Sequence, residues 1–247
     1  MKRTYLGLVC VALLMVAVSV DAKKRMQFDC SVKIPQAVDA YKMKKYSKVK
    51  TILEDARIQC NGNPNMDTVY YYLGMSYLKT KNYLEARSEF ERIASDYPDS
   101  PLFFEAKFRS AHAVLLSSKS FERDQKETLE AIGMFKEILE TYPENTVKDS
   151  VEYYLQRAVD KIETKELTNA RFYIKMNEYE SAVVYFKSFI ENFPESKHVD
   201  ESKLTIAELY LKLDRKSDAA EVLTDLLETG KVPAVLEKAR ALQNKAQ

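Results

Sequence analysis

The sequence predicts an all-α protein made of about five helical hairpins placed side by side, and three observations carry that prediction. One stretch of nineteen residues is written three times, as NYLEARSEFERIASDYPDS (Asn82–Ser100), ETLEAIGMFKEILETYPEN (Glu127–Asn145) and EYESAVVYFKSFIENFPES (Glu178–Ser196). Small residues recur 37 positions apart at Ala37, Gly74 and Ala111, and again at Ala170 and Ala207. No segment alternates apolar and polar residues for long, and with 5 Gly, 7 Pro and no Trp few tight turns are available. That composition suits helices joined by short connections.

The chain begins differently. Lys2 and Arg3 precede an apolar run from Tyr5 to Val20, then Val20-Asp21-Ala22 and Lys23-Lys24-Arg25. A basic start, a hydrophobic segment and small residues before a cut describe a secretory signal peptide over residues 1–22. The run of sixteen residues is shorter than the roughly 20 that a membrane span needs. Cys10 lies inside the run after Val9 and Cys30 lies beyond the charged cluster, so neither makes a good lipidation site. Residues 23–32 form an N-terminal segment. In an exported chain Cys30 and Cys60 are left as an even pair in an oxidising compartment. They flank an expected helical hairpin whose ends meet, which favours a disulfide; two unpaired thiols are the alternative.

From residue 33 to 230 the repeats follow one another. In the three copies Tyr83, Thr128 or Tyr179 comes first, Ala86, Ala131 or Ala182 three later, Phe90, Phe135 or Phe186 four after that, and Pro98, Pro143 or Pro194 eight further on. Offsets of three and four put the first three on one helix face. Ala lets a neighbouring helix come close, and Pro, lacking an N–H, ends the helix. Each copy needs a preceding partner helix, clearest at Thr68–Thr80 with Leu73, Gly74 and Tyr77 inward. Ala170, Ala207 and Tyr210 mark the later partners. Fainter second helices run through Tyr46-Val49-Leu53-Ala56 and Lys216-Ala219-Leu223-Leu226. Helical hairpins with a period of about 34–37 residues define a tetratricopeptide-repeat superhelix. Ala86 and Ala131 are 45 apart, which places an insertion at Ser117–Lys126, a polar surface loop. Ala131 and Ala182 are 51 apart, and Val147–Lys175 has neither Pro nor Gly, so one long helix links repeats three and four. Residues 231–247 read as a C-terminal capping helix or tail.

Little in the chain points to chemistry. Lys+Arg 38 against Asp+Glu 37 gives a net charge of +1, which lacks the basic excess of a nucleic-acid binder. Of the two histidines, His112 is expected in packing and His198 at the surface; neither has metal-ligand spacing to a second donor. Phosphate loops, nucleophile elbows and His-Glu-x-x-His helices do not occur. Glu89, Glu91 and Asp96 are expected on outward faces. The chain therefore reads as a non-enzyme with no cofactor and no metal. Its 16 Tyr are more informative. Tyr70, Tyr71, Tyr72 and Tyr77 cluster, and a helix burying one stripe cannot bury them all, so some reach a groove suited to extended peptide; packing between repeats is the alternative. Tyr153-Tyr154 and Phe172-Tyr173 form further pairs.

The stretch Gln156–Ser196, QRAVDKIETKELTNARFYIKMNEYESAVVYFKSFIENFPES, resembles the BamD family, tetratricopeptide-repeat lipoproteins of the β-barrel assembly machinery of bacterial outer membranes. The matching features are a long helix with a charged segment, Ala170 and Tyr173, then Tyr179, Ala182 and Phe193-Pro194. The loop in repeat three and the repeat count also match, and the resemblance covers about residues 33–230. It implies a periplasmic adaptor at the inner face of the outer membrane, with the barrel-forming assembly subunit, other assembly lipoproteins and unfolded outer-membrane proteins as partners. It also implies a family Asp-Arg pair at Asp160-Lys161, where Lys keeps the charge without the bidentate fork. A third reading is an exported repeat-scaffold enzyme or regulator, and the second is a different periplasmic repeat adaptor, such as the coordinator associated with the Tol-Pal system. Such proteins place their repeats after a coiled coil.

Overall fold

The computed structural model describes residues 28–246, and among them are eleven α-helices and no strand. The expected signal peptide lies outside the described residues. In chain order the helices are α1 (Cys30–Lys42), α2 (Tyr46–Gln59), α3 (Met66–Lys79), α4 (Tyr83–Asp96), α5 (Phe103–Ser117), α6 (Lys126–Thr141), α7 (Lys148–Lys175), α8 (Tyr179–Asn192), α9 (Val199–Lys212), α10 (Lys216–Thr229) and α11 (Pro233–Ala246). The chain divides into two compact units, one ending at Thr80 and one beginning at Lys81.

In the first unit α2 packs on α1 and α3, and α1 also meets α3. Asp29 opens α1 as its N-cap, accepting the Ser31 amide at 2.9 Å, which satisfies one of the orphan donors of the first turn. Ile34, Ala37 and Ala40 of α1 and Val49, Leu53 and Ala56 of α2 are buried. Cys30 at the start of α1 is bonded to Cys60, just after α2, with Cα atoms 5.8 Å apart.

In the second unit each helix packs against its chain neighbours, while α7 also touches α5 and α11 touches α9. Contacts between alternate helices are what stacked hairpins produce. One core gathers Phe108, Ala111 and Val114 of α5, Ala131, Phe135 and Ile138 of α6, and Val151 at the start of α7. A second gathers Leu167 and Ala170 near the end of α7 with Ala182, Phe186 and Phe189 of α8 and Ile206, Leu209 and Tyr210 of α9. A third joins Leu204 and Ala207 to Leu223, Leu226 and Ala239. The 28 residues of α7 therefore belong to two cores, the front half to repeat three and the back half to repeat four.

The connections repeat as closely as the helices. Tyr97, Tyr142 and Phe193 end α4, α6 and α8 with φ near −132° and ψ between 59° and 67°. Each precedes a proline, whose ring excludes the helical ψ. Three residues after each aromatic the side-chain oxygens of Ser100, Asn145 and Ser196 accept the amides of Leu102, Val147 and His198 and start the next helix. Lys44, Lys81, Asn177 and Asp214 adopt φ of 59–62°, each two residues before α2, α4, α8 or α10. The third repeat has no such residue because residues 118–125 intervene there. At the last connection Gly230 follows α10; a Cβ there would lie 2.5 Å from the Leu226 carbonyl oxygen. Asp200 of α9 then accepts the amides of Lys231 and Val232 at 2.6 and 2.8 Å, tying the start of α11 to α9.

The Cys30–Cys60 bond closes a loop with a sequence separation of 30. Replacing both cysteines by serine should lower the unfolding free energy by about 3–4 kcal/mol through the freed loop entropy. Urea denaturation followed by far-UV circular dichroism reads this as a lower midpoint. An identical midpoint in wild type and variant would show that the bond contributes nothing.

Candidate protein-docking site

A protein-docking reading needs exposed aromatic or charged side chains held rigidly by their neighbours, and the predicted residues divide on that criterion. On α3, Tyr70 is buried, 7% exposed. The ring of Tyr72 meets Tyr41 of α1 edge-on at 5.2 Å and Tyr71 at 5.4 Å. The Tyr77 hydroxyl donates to Glu54 of α2 at 2.7 Å, and its ring lies under Lys50 Nζ at 5.3 Å. Tyr72 and Tyr77 thus pack one helix of the first unit against the others. Cys30 and Cys60 hold the far end of the same α1–α2 hairpin.

The remaining predicted residues lie on α7, but not together. Asp160 and Tyr173 are thirteen residues apart on one helix, about 20 Å at 1.5 Å per residue. Asp160 Oδ1 accepts from Gln156 at 3.1 Å. Lys161 turns to the inserted segment and donates to Ser118 Oγ at 2.6 Å, and one turn on Lys165 donates to the Arg123 carbonyl at 2.9 Å. Inside that segment Gln125 is buried, donating to the carbonyls of Ser120 and Arg123 and accepting from Thr128. The insertion is therefore a surface loop closed on itself and pinned to the long helix. Burial pushes the Lys161 ammonium below its usual range, against the opposing pull of Glu127.

Tyr173 belongs to an aromatic face. It stacks on Tyr185 of α8 with ring centres 4.6 Å apart and hydroxyls 3.2 Å apart. Phe172 meets Tyr173 edge-on at 5.7 Å and is 55% exposed. Met176, one turn on, is exposed too. The hydrogen bond shared with Tyr173, together with its proximity, raises the Tyr185 phenol above its ordinary value. Sequence reasoning overlooked Tyr185. The signal was in the repeat itself: the residue before the recurring Phe is Glu89 in α4, Met134 in α6 and Tyr185 in α8. That register is on the rim of the buried face, so an aromatic there spreads onto the surface.

One expectation is corrected. Glu91 and Asp96 are exposed, but Glu89 is buried, 6% exposed. The helix α4 buries a wider face than the single stripe of Ala86, Phe90 and Ile93, and Glu89 falls within it. His112 is half-buried, 4.2 Å from the Tyr154 ring and stacked on Phe108. His198 stands just before α9, its amide held by Ser196. Among the described residues no group of three or more His, Cys, Asp or Glu is placed to hold a metal ion, and no helix is long and apolar enough to cross a membrane.

Comparison with known proteins places these features in a family. Residues 31–225 match the family YfiO, described as outer membrane lipoprotein. The outer membrane protein assembly factor BamD of Caulobacter vibrioides is 24% identical over 146 residues, 59% of this chain and 48% of that protein. The protein of the same name from Neisseria gonorrhoeae is 25% identical over 166 residues, 63% of this chain and 60% of its own. The chain thus spans about half to three-fifths of the length of these curated relatives. Among solved structures, the tetratricopeptide-repeat domain of P58(IPK) covers 88% of this chain and 55% of that one, at 14% identity and a TM-score of 0.44.

Two outcomes test the geometry of α7. In Tyr173→Phe the Tyr185 phenol should titrate at a lower pH, back toward the ordinary value near 10, in 13C-tyrosine NMR. The sign follows from linkage: a phenol raised in the folded state stabilises it below the unfolded value and loses that contribution as pH climbs through the folded one. In Lys161→Met the amides of residues 118–125 should exchange about tenfold faster, the equivalent of one lost charged hydrogen bond. Because the folded Lys161 releases its proton below the ordinary lysine value of about 10.4, wild-type stability should also rise with pH just below that value, and the variant should lack that rise. Unchanged exchange in the loop would show that Lys161 does not hold it.

Proposed function

This chain belongs to the YfiO family of outer membrane lipoproteins, and from that membership we propose that it is a non-catalytic periplasmic scaffold for assembly of outer-membrane β-barrel proteins. Its relatives bear the name of an outer-membrane protein assembly factor, and the family match runs through every repeat up to α10. The observation that carries the reading is the exposed face of Phe172, Tyr173 and Tyr185 at the junction of α7 and α8. Large aromatic side chains already stacked on one another lose little entropy on binding, which is how protein interfaces anchor. On this reading the later repeats hold the barrel-forming assembly subunit. The earlier ones meet other assembly lipoproteins and unfolded outer-membrane proteins. The C-terminal helix α11, which packs onto α9 and α10, closes the array, and the protein works at the inner face of the outer membrane. Tyr71, Asp160 and Lys161 remain candidate contacts at its rim.

The test is capture from detergent-solubilised membranes on the tagged, processed chain. Recovery of a polypeptide-transporting barrel protein is expected, and the Phe172→Ala/Tyr185→Ala variant should lose about tenfold or more of it, the size of an interface hot spot. Circular dichroism of that variant should match wild type. Recovery of Pal-like or TolA-like proteins in place of a barrel would replace this reading with the Tol-Pal one.

A further inference from the structure

Behind the aromatic face, on another side of α7, the turn between α8 and α9 forms a surface cleft of about 350 Å³ against the middle of the long helix. Gln156, Asp160 and Glu163 line one wall, and Asn192, Pro194 and Lys197 line the other. Asp160 and Glu163 are three apart on the helix and share a face. Glu163 is the unusual member: only 5% exposed, it receives no hydrogen bond or ion pair among the described residues. Because Glu163 lines the cleft, a donor entering there meets an acceptor that no group of the protein already occupies. Lys197 shares the cleft but pairs with neither carboxylate, and the single polar contact to the pair is the one from Gln156 to Asp160. The opposite wall holds the last residues of α8, whose free carbonyls form the negative end of that helix. Acidic side chains, a helix C-terminus and unmet acceptors converge on one opening.

We propose that this cleft receives an arginine side chain from a protein partner. A guanidinium carries five N–H donors in a flat fork, enough to serve two carboxylates on α7 and a carbonyl at the end of α8 together. The ammonium of a lysine is a point charge with three donors and does not span the walls in the same way. The cleft is at the lower end of small-ligand pocket sizes, which suits one side chain rather than a cofactor. A carboxylate that does nothing for the isolated fold is explained by what it does when a cation arrives. The inference deepens the scaffold reading and rests on it for the identity of the occupant as protein.

The probe is N-acetylarginine amide, with the neutral isostere N-acetylcitrulline amide as its control, titrated into the 15N-labelled processed chain. Amide shifts are expected for residues 156–163 and 192–197 with the arginine compound, and about tenfold weaker binding with citrulline or in Glu163→Gln, the loss that goes with one charged hydrogen bond. Glu163→Gln should melt no lower than wild type, because the carboxylate has no internal partner to lose. Absence of shifts at the cleft, equal binding of citrulline, equal binding by the variant, or a markedly lower melting temperature of the variant would each overturn the proposal. The scaffold reading is judged separately. If membranes yield a barrel protein but arginine leaves the cleft unmoved, the cleft inference fails alone; if arginine binds and no barrel protein is captured, the scaffold reading fails alone.

Discussion

The structure depends on how closely its helices approach one another, and alanine sets that distance. Ala37, Ala56, Ala86, Ala111, Ala131, Ala170, Ala182, Ala207 and Ala219 are all completely buried, one on each of α1, α2 and α4 to α10. Packed helices lie about 8–10 Å apart according to the side chains at their contact, and a larger residue at these points would force the axes apart, at a cost of roughly 1–3 kcal/mol each. With the axes held close, Phe90, Phe135 and Phe186, a turn further along, fill the space that the short side chains leave at the ends of the contact. The prolines and their preceding aromatic caps then fix where each helix stops, so the next one starts in the same relation to its neighbour.

The departures from the repeat are built from the same parts. Removing the break between repeats three and four gives α7 its length, and two cores then share one rod. Because a helix has only so much inward surface, residues past those needed for either core are turned out. Phe172 is turned out at that transition, and Tyr173 spans the edge of the second core, where Tyr185 on α8 stacks on it. The inserted segment would otherwise be an unsupported excursion; Lys161 and Lys165 bind it along the same helix. A single extra length of helix therefore supplies both the support for the loop and the aromatic surface.

Most of the helical framework was legible because it depends on offsets within one helix. The positions of Phe90, Phe135 and Phe186, the inserted stretch and the long helix all follow from counting. What was not legible depends on the neighbouring helix. Glu89 looks like a surface charge until the packing around α4 is seen to bury it beside Phe90, and Tyr77 finds its partner Glu54 twenty-three positions earlier. The choice among Tyr70, Tyr71 and Tyr72 turns on a rotation of α3 that periodicity leaves undecided by a fraction of a turn. The turns were hidden for another reason. The left-handed residues are Lys44, Lys81, Asn177 and Asp214, so no glycine marks them, although all four occupy one register. Glu163 carries no sequence signal, since an unmet acceptor is a property of its surroundings.

The continuity of α7 has a mechanical meaning. Most repeat arrays are chains of weakly coupled links, each able to bend, slide or melt with little regard for those two places away. A helix of 28 residues, about 42 Å at 1.5 Å per residue, has no joint at which that freedom could act. A rod shared by both cores couples repeats three and four into one block more tightly than a turn between them would. Load applied at the aromatic end of the rod is transmitted to the core of repeat three instead of being absorbed by a flexing turn. Within that block the array behaves less like a string of beads than like a lever with its fulcrum inside the protein.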